Sequence, residues 1–165
     1  MRINVGPLKG KKGESLHFTF SEALASPWGG EAELEAPVTV DVTVTNTGKC
    51  YLVRGHLSTR ASLVCDRCLT RFSTEIASDV EEEFYPQAGV RRPAREEQGW
   101  VEEDEPPQES ELNTFSGDVF DLTSTVEELL VLALPAKVLC SEACRGICPR
   151  CGANLNAASC RCGEE

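Results

Sequence analysis

The sequence has few positive charges and no long apolar run. Its 165 residues include 16 Lys and Arg against 27 Asp and Glu, for a formal net charge of -11. Proteins that hold nucleic acid on broad basic surfaces need Lys and Arg in excess, so we expect any contact with RNA to be local or indirect. No run approaches the roughly 20 apolar residues of a membrane span, so we expect no membrane partner.

Residues 1–10 also lack the apolar core and small-residue cleavage site of a secretory signal. We therefore expect a cytoplasmic protein. Thiols stay reduced in that compartment, so cysteines at Cys-x-x-Cys spacing suit a metal better than structural disulfides. The number of cysteines, nine, is also odd for a disulfide framework.

The residue patterns of common hydrolases and phosphotransferases are missing. The chain has two histidines, His17 and His56, and contains no Gly-x-Ser-x-Gly elbow, phosphate loop or His-Glu-x-x-His motif. We expect no enzymatic activity and no small-molecule substrate. One enzymatic alternative remains, a thiol-disulfide exchanger that uses Cys65 and Cys68.

Six of the cysteines lie in the last quarter of the chain. Cys148-Pro-Arg-Cys151-Gly152 has the form of a zinc knuckle, in which the glycine permits a tight turn that points backbone amides at the sulfurs. The polar segment 154–156 suits a chain reversal, after which two more cysteines follow. The sequence predicts a four-thiolate zinc site built from Cys148, Cys151, Cys160 and Cys162.

Cys65-Asp66-Arg67-Cys68 is a second knuckle, at the turn between two predicted strands. We favour a second zinc site that joins Cys65 and Cys68 to Cys140 and Cys144 and so ties the tail to the sheet. Two alternatives stay open. Cys140 and Cys144 could join Cys148 and Cys151, or they could bind nothing, in which case the chain carries one zinc. Closed four-thiolate coordination has no position for an activated water, so we expect both Zn²⁺ ions to be structural.

Hydrophobic periodicity predicts an α+β fold. Alternation of apolar and polar residues predicts a strand at 16–20, a hairpin with its turn at 46–48, and a further strand at 72–84. Cys50 falls in a strand and is read as a core or spare residue. Apolar residues between Leu122 and Ala133 share one helical face, with Asp121 or Thr123 as N-cap and Pro135 beyond the end.

We expect an α+β domain over residues 1–135, with an antiparallel sheet of about five strands and one main helix packed on it. Residues 136–165 are expected to form a zinc-ribbon-like cysteine tail. Within the domain, periodicity is lost at about residues 87–113, where 96–111 holds eight acidic residues and no Lys or Arg. This composition predicts a disordered acidic loop.

The segment 49–71 is basic within this acidic chain, with five Lys and Arg against Asp66 alone. It is the candidate surface for RNA or for a partner, through Arg54, His56, Arg60, Arg67 and Arg71. The alternative is that these side chains only solvate the outer face of an antiparallel pair.

Three motifs occur in a fixed order over about residues 35–162. They are Cys65-Asp-Arg-Cys68-Leu, a helix that ends in Leu-Ala-Leu-Pro135, and Cys148-Pro-Arg-Cys-Gly-Ala-Asn-Leu-Asn156. In these motifs the chain resembles the YceD-like family, the large ribosomal RNA subunit accumulation proteins. The resemblance implies a small cytosolic factor for large-subunit rRNA, and it implies no catalytic residues.

We therefore expect a non-enzymatic accessory factor that supports 23S rRNA accumulation or processing and assembly of the large ribosomal subunit. Its partner would be large-subunit rRNA. The alternative is an acidic protein-interaction adaptor that binds a basic ribosomal protein and affects rRNA only indirectly.

Overall fold

A computed structural model describes residues 1–28, 32–87, 113–160 and 162. Within these ranges there are eight strands, a short 3-10 helix at Gly6–Leu8 and one α-helix. The strands are β1 (Arg2–Asn4), β2 (Ser15–Glu22), β3 (Glu33–Leu34), β4 (Val38–Asn46), β5 (Tyr51–Val64), β6 (Arg71–Pro86), β7 (Asn113–Phe115) and β8 (Val119–Asp121), and the helix α1 is Thr123–Leu132. The predicted acidic loop falls on residues 88–112, outside the described residues, and Asn113 already belongs to β7.

The main sheet has six strands in the order β2-β4-β5-β6-β7, with β3 also paired to β5. β3 is antiparallel to β5, whereas β7 runs parallel to β6. The prediction of about five antiparallel strands therefore needs correction in number and in the direction of one strand. β3 has two residues and β7 has three, so neither is long enough to show an alternating pattern. β1 and β8 form a separate antiparallel pair.

The β4–β5 hairpin follows directly from the sequence. Val38, Val40, Val42 and Val44 alternate with polar residues, and all four are 0% exposed. Each buried valine contributes about 1.5 kcal/mol or more through removal of apolar surface from water. At the turn, the Asn46 side-chain oxygen accepts the Gly48 N–H at 2.8 Å, and Gly48 has a φ of 94°, which an L-residue rarely adopts.

α1 begins where the sequence places it. The Asp121 carboxylate accepts the backbone N–H of Thr123 at 2.9 Å, and the Thr123 hydroxyl is the main cause that lowers the pKa of Asp121. The C-terminal half of α1 is apolar, but it is not buried on every side, since Leu132 is 77% exposed. Apolar composition alone does not require burial, and here only one face of the helix is covered.

The chain divides into two compact units. Unit 1 comprises Met1–Phe20, Val40–His56 and Asp79–Ser124, and unit 2 comprises Ser21–Thr39, Leu57–Ser78 and Thr125–Glu165. In unit 1, the rings of Phe84 and Phe120 stack with centroids 4.1 Å apart. In unit 2, Cys65, Cys68 and Cys144 form a buried cluster against which Phe72 and Leu139 pack. The division into a 1–135 domain and a 136–165 tail stays a prediction.

Among the described residues, no helix has both the length and the apolarity needed to cross a membrane.

Gly55 in β5 lies against the main chain of β4. A Cβ at this position would overlap the Asp41 carbonyl oxygen and would lie 2.7 Å from the Cα of Val42. We predict that Gly55→Ala lowers the free energy of unfolding by about 3 kcal/mol, because backbone must move to make room. Urea unfolding of the metal-loaded protein measures the loss.

Gly117→Ala is the matched control for Gly55→Ala. A Cβ at Gly117 meets nothing within 4 Å, but its φ of 82° is strained for alanine. This change should cost about 1 to 2 kcal/mol. A loss at Gly55 no larger than the loss at Gly117 would show that the close approach between the strands is not important for stability.

Candidate metal centres

Eight cysteines of unit 2 meet in two groups of four. Within each group, all four Sγ atoms lie within 4.8 Å of one another. Site A consists of Cys65, Cys68, Cys140 and Cys144, and site B of Cys148, Cys151, Cys160 and Cys162. The sulfurs of Cys140 and Cys144 thus lie with those of the β5–β6 turn and not with those of the tail knuckle.

The spacing of the sulfurs suits a tetrahedral metal ion. Zinc–sulfur bonds of about 2.3 Å in a tetrahedron place neighbouring sulfurs about 3.8 Å apart, whereas a disulfide needs about 2.05 Å. In site A, the Sγ atoms of Cys65 and Cys144 are 3.8 Å apart. Those of Cys68 and Cys140 are 3.6 Å apart. Both groups could hold a metal ion, and four thiolates suit zinc or iron.

Site B has slightly shorter spacings. The Cys151 and Cys160 sulfurs are 3.4 Å apart, and those of Cys160 and Cys148 are 3.3 Å apart. Site B is also the more open of the two groups: only Cys148 is buried there, whereas in site A only Cys140 is exposed.

The tail knuckle is a tight, hydrogen-bonded turn. The Gly152 N–H donates to the Cys148 carbonyl at 2.9 Å, and the Cys148 N–H donates to the Ala153 carbonyl at 2.8 Å. Gly152 adopts a φ of 72°, which explains why a glycine follows the second cysteine. The knuckle motif read from the sequence therefore has the expected backbone reason.

The knuckle of site A makes the same turn with a different residue at the strained position. The Leu69 N–H donates to the Cys65 carbonyl at 2.9 Å, and the Cys65 N–H donates to the Thr70 carbonyl at 3.1 Å. Leu69 has a φ of 57° and is the one non-glycine residue with positive φ among the described residues. Its side chain is 63% exposed, so little burial offsets the strain.

Each knuckle also has an arginine at its third position. The Arg67 guanidinium donates to the Cys144 carbonyl at 3.1 Å, and the Arg150 guanidinium donates to the Cys162 carbonyl at 2.8 Å. Each arginine therefore links its knuckle to the other half of the same site. Arg67 was a candidate RNA or partner contact, and the structure places it in the wall of site A.

Backbone amides favour the thiolate form of the first cysteine in each knuckle. Burial raises the pKa of Cys65, but N–H groups of Cys140, Cys68 and Arg67 outweigh it and lower that pKa to about 6. N–H groups of Cys151 and Arg150 likewise lower the pKa of Cys148 to about 6. These sulfurs are thus ready to bind a cation at neutral pH.

In each group, another thiol has a raised pKa. The neighbouring Cys68, followed by burial, raises the pKa of Cys140 to about 12. The neighbouring Cys160 and Cys151 raise the pKa of Cys162 to about 12. Four thiolates cannot share so small a volume without a compensating cation, so a divalent ion would displace the remaining protons as it binds.

Two residues in and beside the knuckle of site A escaped the sequence reasoning. Asp66 pairs the knuckle with the segment before Cys140, since its N–H donates to the Val138 carbonyl and its carboxylate accepts the Val138 N–H, both at 2.8 Å. The Thr70 hydroxyl is the main cause that lowers the pKa of Cys68. Adjacency to the Cys-x-x-Cys motif is the only sequence signal for either residue.

The other candidate contacts on β5 and β6 lie at the surface. Arg54 of unit 1 pairs with Glu81 at 2.6 Å, and Arg71 of unit 2 lies 3.9 Å from Glu33. His56 and Arg60 are exposed, and within the described residues Arg60 forms no ion pair. The outer face is therefore not uniformly basic, because carboxylates accompany two of the arginines.

We predict two metal ions per chain in the purified protein. Cys140→Ser and Cys151→Ser, which change exposed ligands of site A and site B, should each reduce the content to one ion. Elemental analysis with thiol counting measures both quantities. Cys50→Ser is the matched control and should retain two ions. Metal-free protein, or unchanged content in both ligand variants, would contradict the assignment.

Leu69 and Gly152 allow a reciprocal test of the knuckle turn. We predict that Leu69→Gly raises the free energy of unfolding by about 1 kcal/mol, because it relieves a left-handed φ at an exposed position. Gly152→Ala should lower it by about 1 to 2 kcal/mol for the opposite reason. Thermal unfolding of the metal-loaded variants gives both values, and a destabilised Leu69→Gly would show that the leucine side chain itself is needed.

This chain matches one family model and is similar to proteins from a plant and from mycobacteria. A family model described as large ribosomal RNA subunit accumulation protein YceD matches residues 53–165. A protein of Arabidopsis thaliana, named large ribosomal RNA subunit accumulation protein YCED homolog 1, chloroplastic, is 29% identical over 151 residues, which cover 78% of this chain and 44% of that protein. No solved structure matches this chain.

Uncharacterized proteins of Mycobacterium tuberculosis and Mycobacterium bovis are 26% identical over 117 residues, which cover 70% of this chain and 50% of theirs. The chain thus spans about half the length of the curated relatives that it matches. The family model covers β6, α1 and both metal sites, together with nearly all of β5. Because it matches well over half of the sequence, this protein belongs to the YceD family of large ribosomal RNA subunit accumulation proteins.

Proposed function

We propose that this protein is a non-enzymatic, cytoplasmic accessory factor that supports 23S rRNA accumulation or processing and assembly of the large ribosomal subunit. Family membership is the observation that carries the proposal, because the family description names the accumulation of large-subunit rRNA. The plant relative carries the same description in its name.

We propose that sites A and B each bind a structural Zn²⁺. The support is chemical: each site offers four sulfurs at spacings that fit tetrahedral coordination, and such a site leaves no position for a reacting water. A metal-bearing site A also removes the thiol-disulfide exchange alternative, since Cys65 and Cys68 would both be ligands.

We propose that RNA contact centres on Arg60 of unit 2, with His56 of unit 1 as a separate candidate contact. Both side chains are exposed on the outer face of β5, with no carboxylate paired to Arg60 among the described residues. Arg54 and Arg71 would first have to exchange a carboxylate for a phosphate, which lowers their net gain. Arg67 is held by the Cys144 carbonyl and contributes to RNA contact only through its charge.

Arg60→Glu tests this assignment. The change should reduce co-purification of precursor 23S rRNA by about tenfold, because a lost phosphate contact is replaced by repulsion. Thermal unfolding should be unchanged, since Arg60 is exposed. Lys11→Glu makes the same change of charge in the exposed loop before β2 and should leave rRNA recovery unchanged. Equal recovery from the two variants would remove Arg60 from the contact surface.

The alternative function is that of an acidic adaptor for a basic ribosomal protein. Its specific support is the outer face of β6 in unit 1, where Asp79, Glu81 and Glu83 are all exposed at alternate positions. Together with the net charge of -11, this row favours a cationic partner. In this case the effect on rRNA would be indirect.

Purification of the tagged protein from cells, with and without nuclease, separates the two functions. Direct RNA binding predicts that 23S rRNA fragments are recovered and that ribosomal proteins are lost after nuclease. The adaptor predicts that one basic ribosomal protein survives nuclease and is released by salt.

A further inference from the structure

The two metal sites are connected by an asparagine. Asn156 lies in the loop between Cys151 and Cys160, both of which belong to site B. Its side-chain N–H donates to the Sγ of Cys144, a sulfur of site A, at 3.2 Å. Its side-chain oxygen accepts the Arg145 N–H at 2.7 Å, which fixes the orientation of the amide.

A second asparagine supports the first. The Asn154 side-chain oxygen accepts the Asn156 N–H at 2.9 Å, and its NH₂ group donates to the Thr70 hydroxyl at 3.0 Å. Thr70 directly follows the knuckle of site A. Asn154 therefore holds the loop of site B against the β5–β6 turn that carries Cys65 and Cys68.

The backbone of the loop between Cys151 and Cys160 also pairs with the segment between Cys144 and Cys148, which links the two sites in the sequence. The Leu155 N–H donates to the Gly146 carbonyl at 2.9 Å, and Ile147 forms an isolated β-bridge with Asn154. Gly146 has a φ of 76°, and a Cβ there would lie 3.0 Å from the Arg67 carbonyl oxygen. A glycine is thus required where this segment passes the knuckle of site A.

These contacts have an energetic consequence. Hydrogen bonds to metal-bound thiolates orient the ligand and spread its negative charge, and their loss typically costs about 10-fold or more in metal affinity. Asn156 makes its contact from a loop whose two ends are ligands of site B. A metal at site B would fix both ends, so the N–H would reach the Cys144 sulfur without further loss of loop entropy.

We propose that Asn156 is a positioning residue through which metal binding at site B raises the metal affinity of site A, and by linkage the reverse. The inference rests on the proposed loading of both sites and not on the role in rRNA accumulation. The sequence predicted only a chain reversal at Asn154-Leu155-Asn156. The proposal adds that this segment couples the two sites.

Competition with a zinc chelator measures the coupling. The double variant Cys151→Ser/Cys160→Ser removes two ligands of site B and leaves site A to bind zinc. The double variant Cys68→Ser/Cys140→Ser removes two ligands of site A and leaves site B. The product of the two association constants of the unmodified protein should exceed the product of the two single-site values by about 10-fold or more. Equal products would mean independent sites and would overturn the proposal, while leaving the two metal sites themselves intact.

Asn156→Asp then tests the path of the coupling. This change keeps the oxygen that accepts the Arg145 N–H but replaces the donor that faces the Cys144 sulfur. In a protein that keeps all eight ligand cysteines, Asn156→Asp should abolish the excess in the product of the two association constants. Asn4→Asp makes the same chemical change in β1, where the asparagine side-chain oxygen accepts the Gly6 N–H, and should leave the excess unchanged. An excess that persists in Asn156→Asp would overturn the role of this residue.

A kinetic measurement covers the case in which the single-site variants do not fold. The unmodified protein and Asn156→Asp, which both keep all eight ligand cysteines, are loaded with Co²⁺, and loss of the thiolate–cobalt absorption is followed after addition of a chelator. Asn156→Asp should release one of its two ions about 10-fold faster than the unmodified protein. Identical release from the two proteins would overturn the proposal.

Discussion

The crowding of four sulfurs within 4.8 Å, which occurs twice in unit 2, is the constraint on which this part of the structure depends. Thiols so close cannot all ionise unless a cation joins them, and with a cation they become a cross-link. Site A joins residues 79 positions apart, Cys65 and Cys144. By the chain-entropy argument used for disulfides, closing a loop of that length is worth about 4 kcal/mol.

Charge explains why the basic residues of this acidic protein lie where they do. A divalent ion with four thiolates carries a net charge of about -2, which favours nearby cations. Arg67 and Arg150 occupy the same position in their knuckles and donate to carbonyls of ligand cysteines. Arg54 pairs with a carboxylate on the neighbouring strand. What looks from sequence like one basic segment is thus divided between the metal sites and the sheet surface, and Arg60 is left as the best candidate for an external anion.

The features that depend on local spacing could be predicted from the sequence. Alternation along β4, the turn at Gly48 and the start of α1 all follow from short-range rules, as does the knuckle around Gly152. β3 and β7 could not be found, since two or three residues show no period and pairing depends on the rest of the sheet. The hydrogen bond from Asn156 to the Cys144 sulfur was equally hidden, because Asn156 lies in the loop of site B whereas this sulfur belongs to site A. The exposure of Leu132 shows that an apolar run does not specify how many of its sides are covered.

The central proposal is that two all-thiolate metal sites stabilise unit 2 of this member of the YceD family, with its activity located elsewhere on the surface. X-ray absorption at the zinc edge of protein purified from cells tests this claim most directly. The account predicts four sulfur neighbours per zinc at about 2.3 Å and no nitrogen or oxygen ligand. A first shell that contains lighter atoms, or fewer than four sulfurs for each zinc, would contradict it.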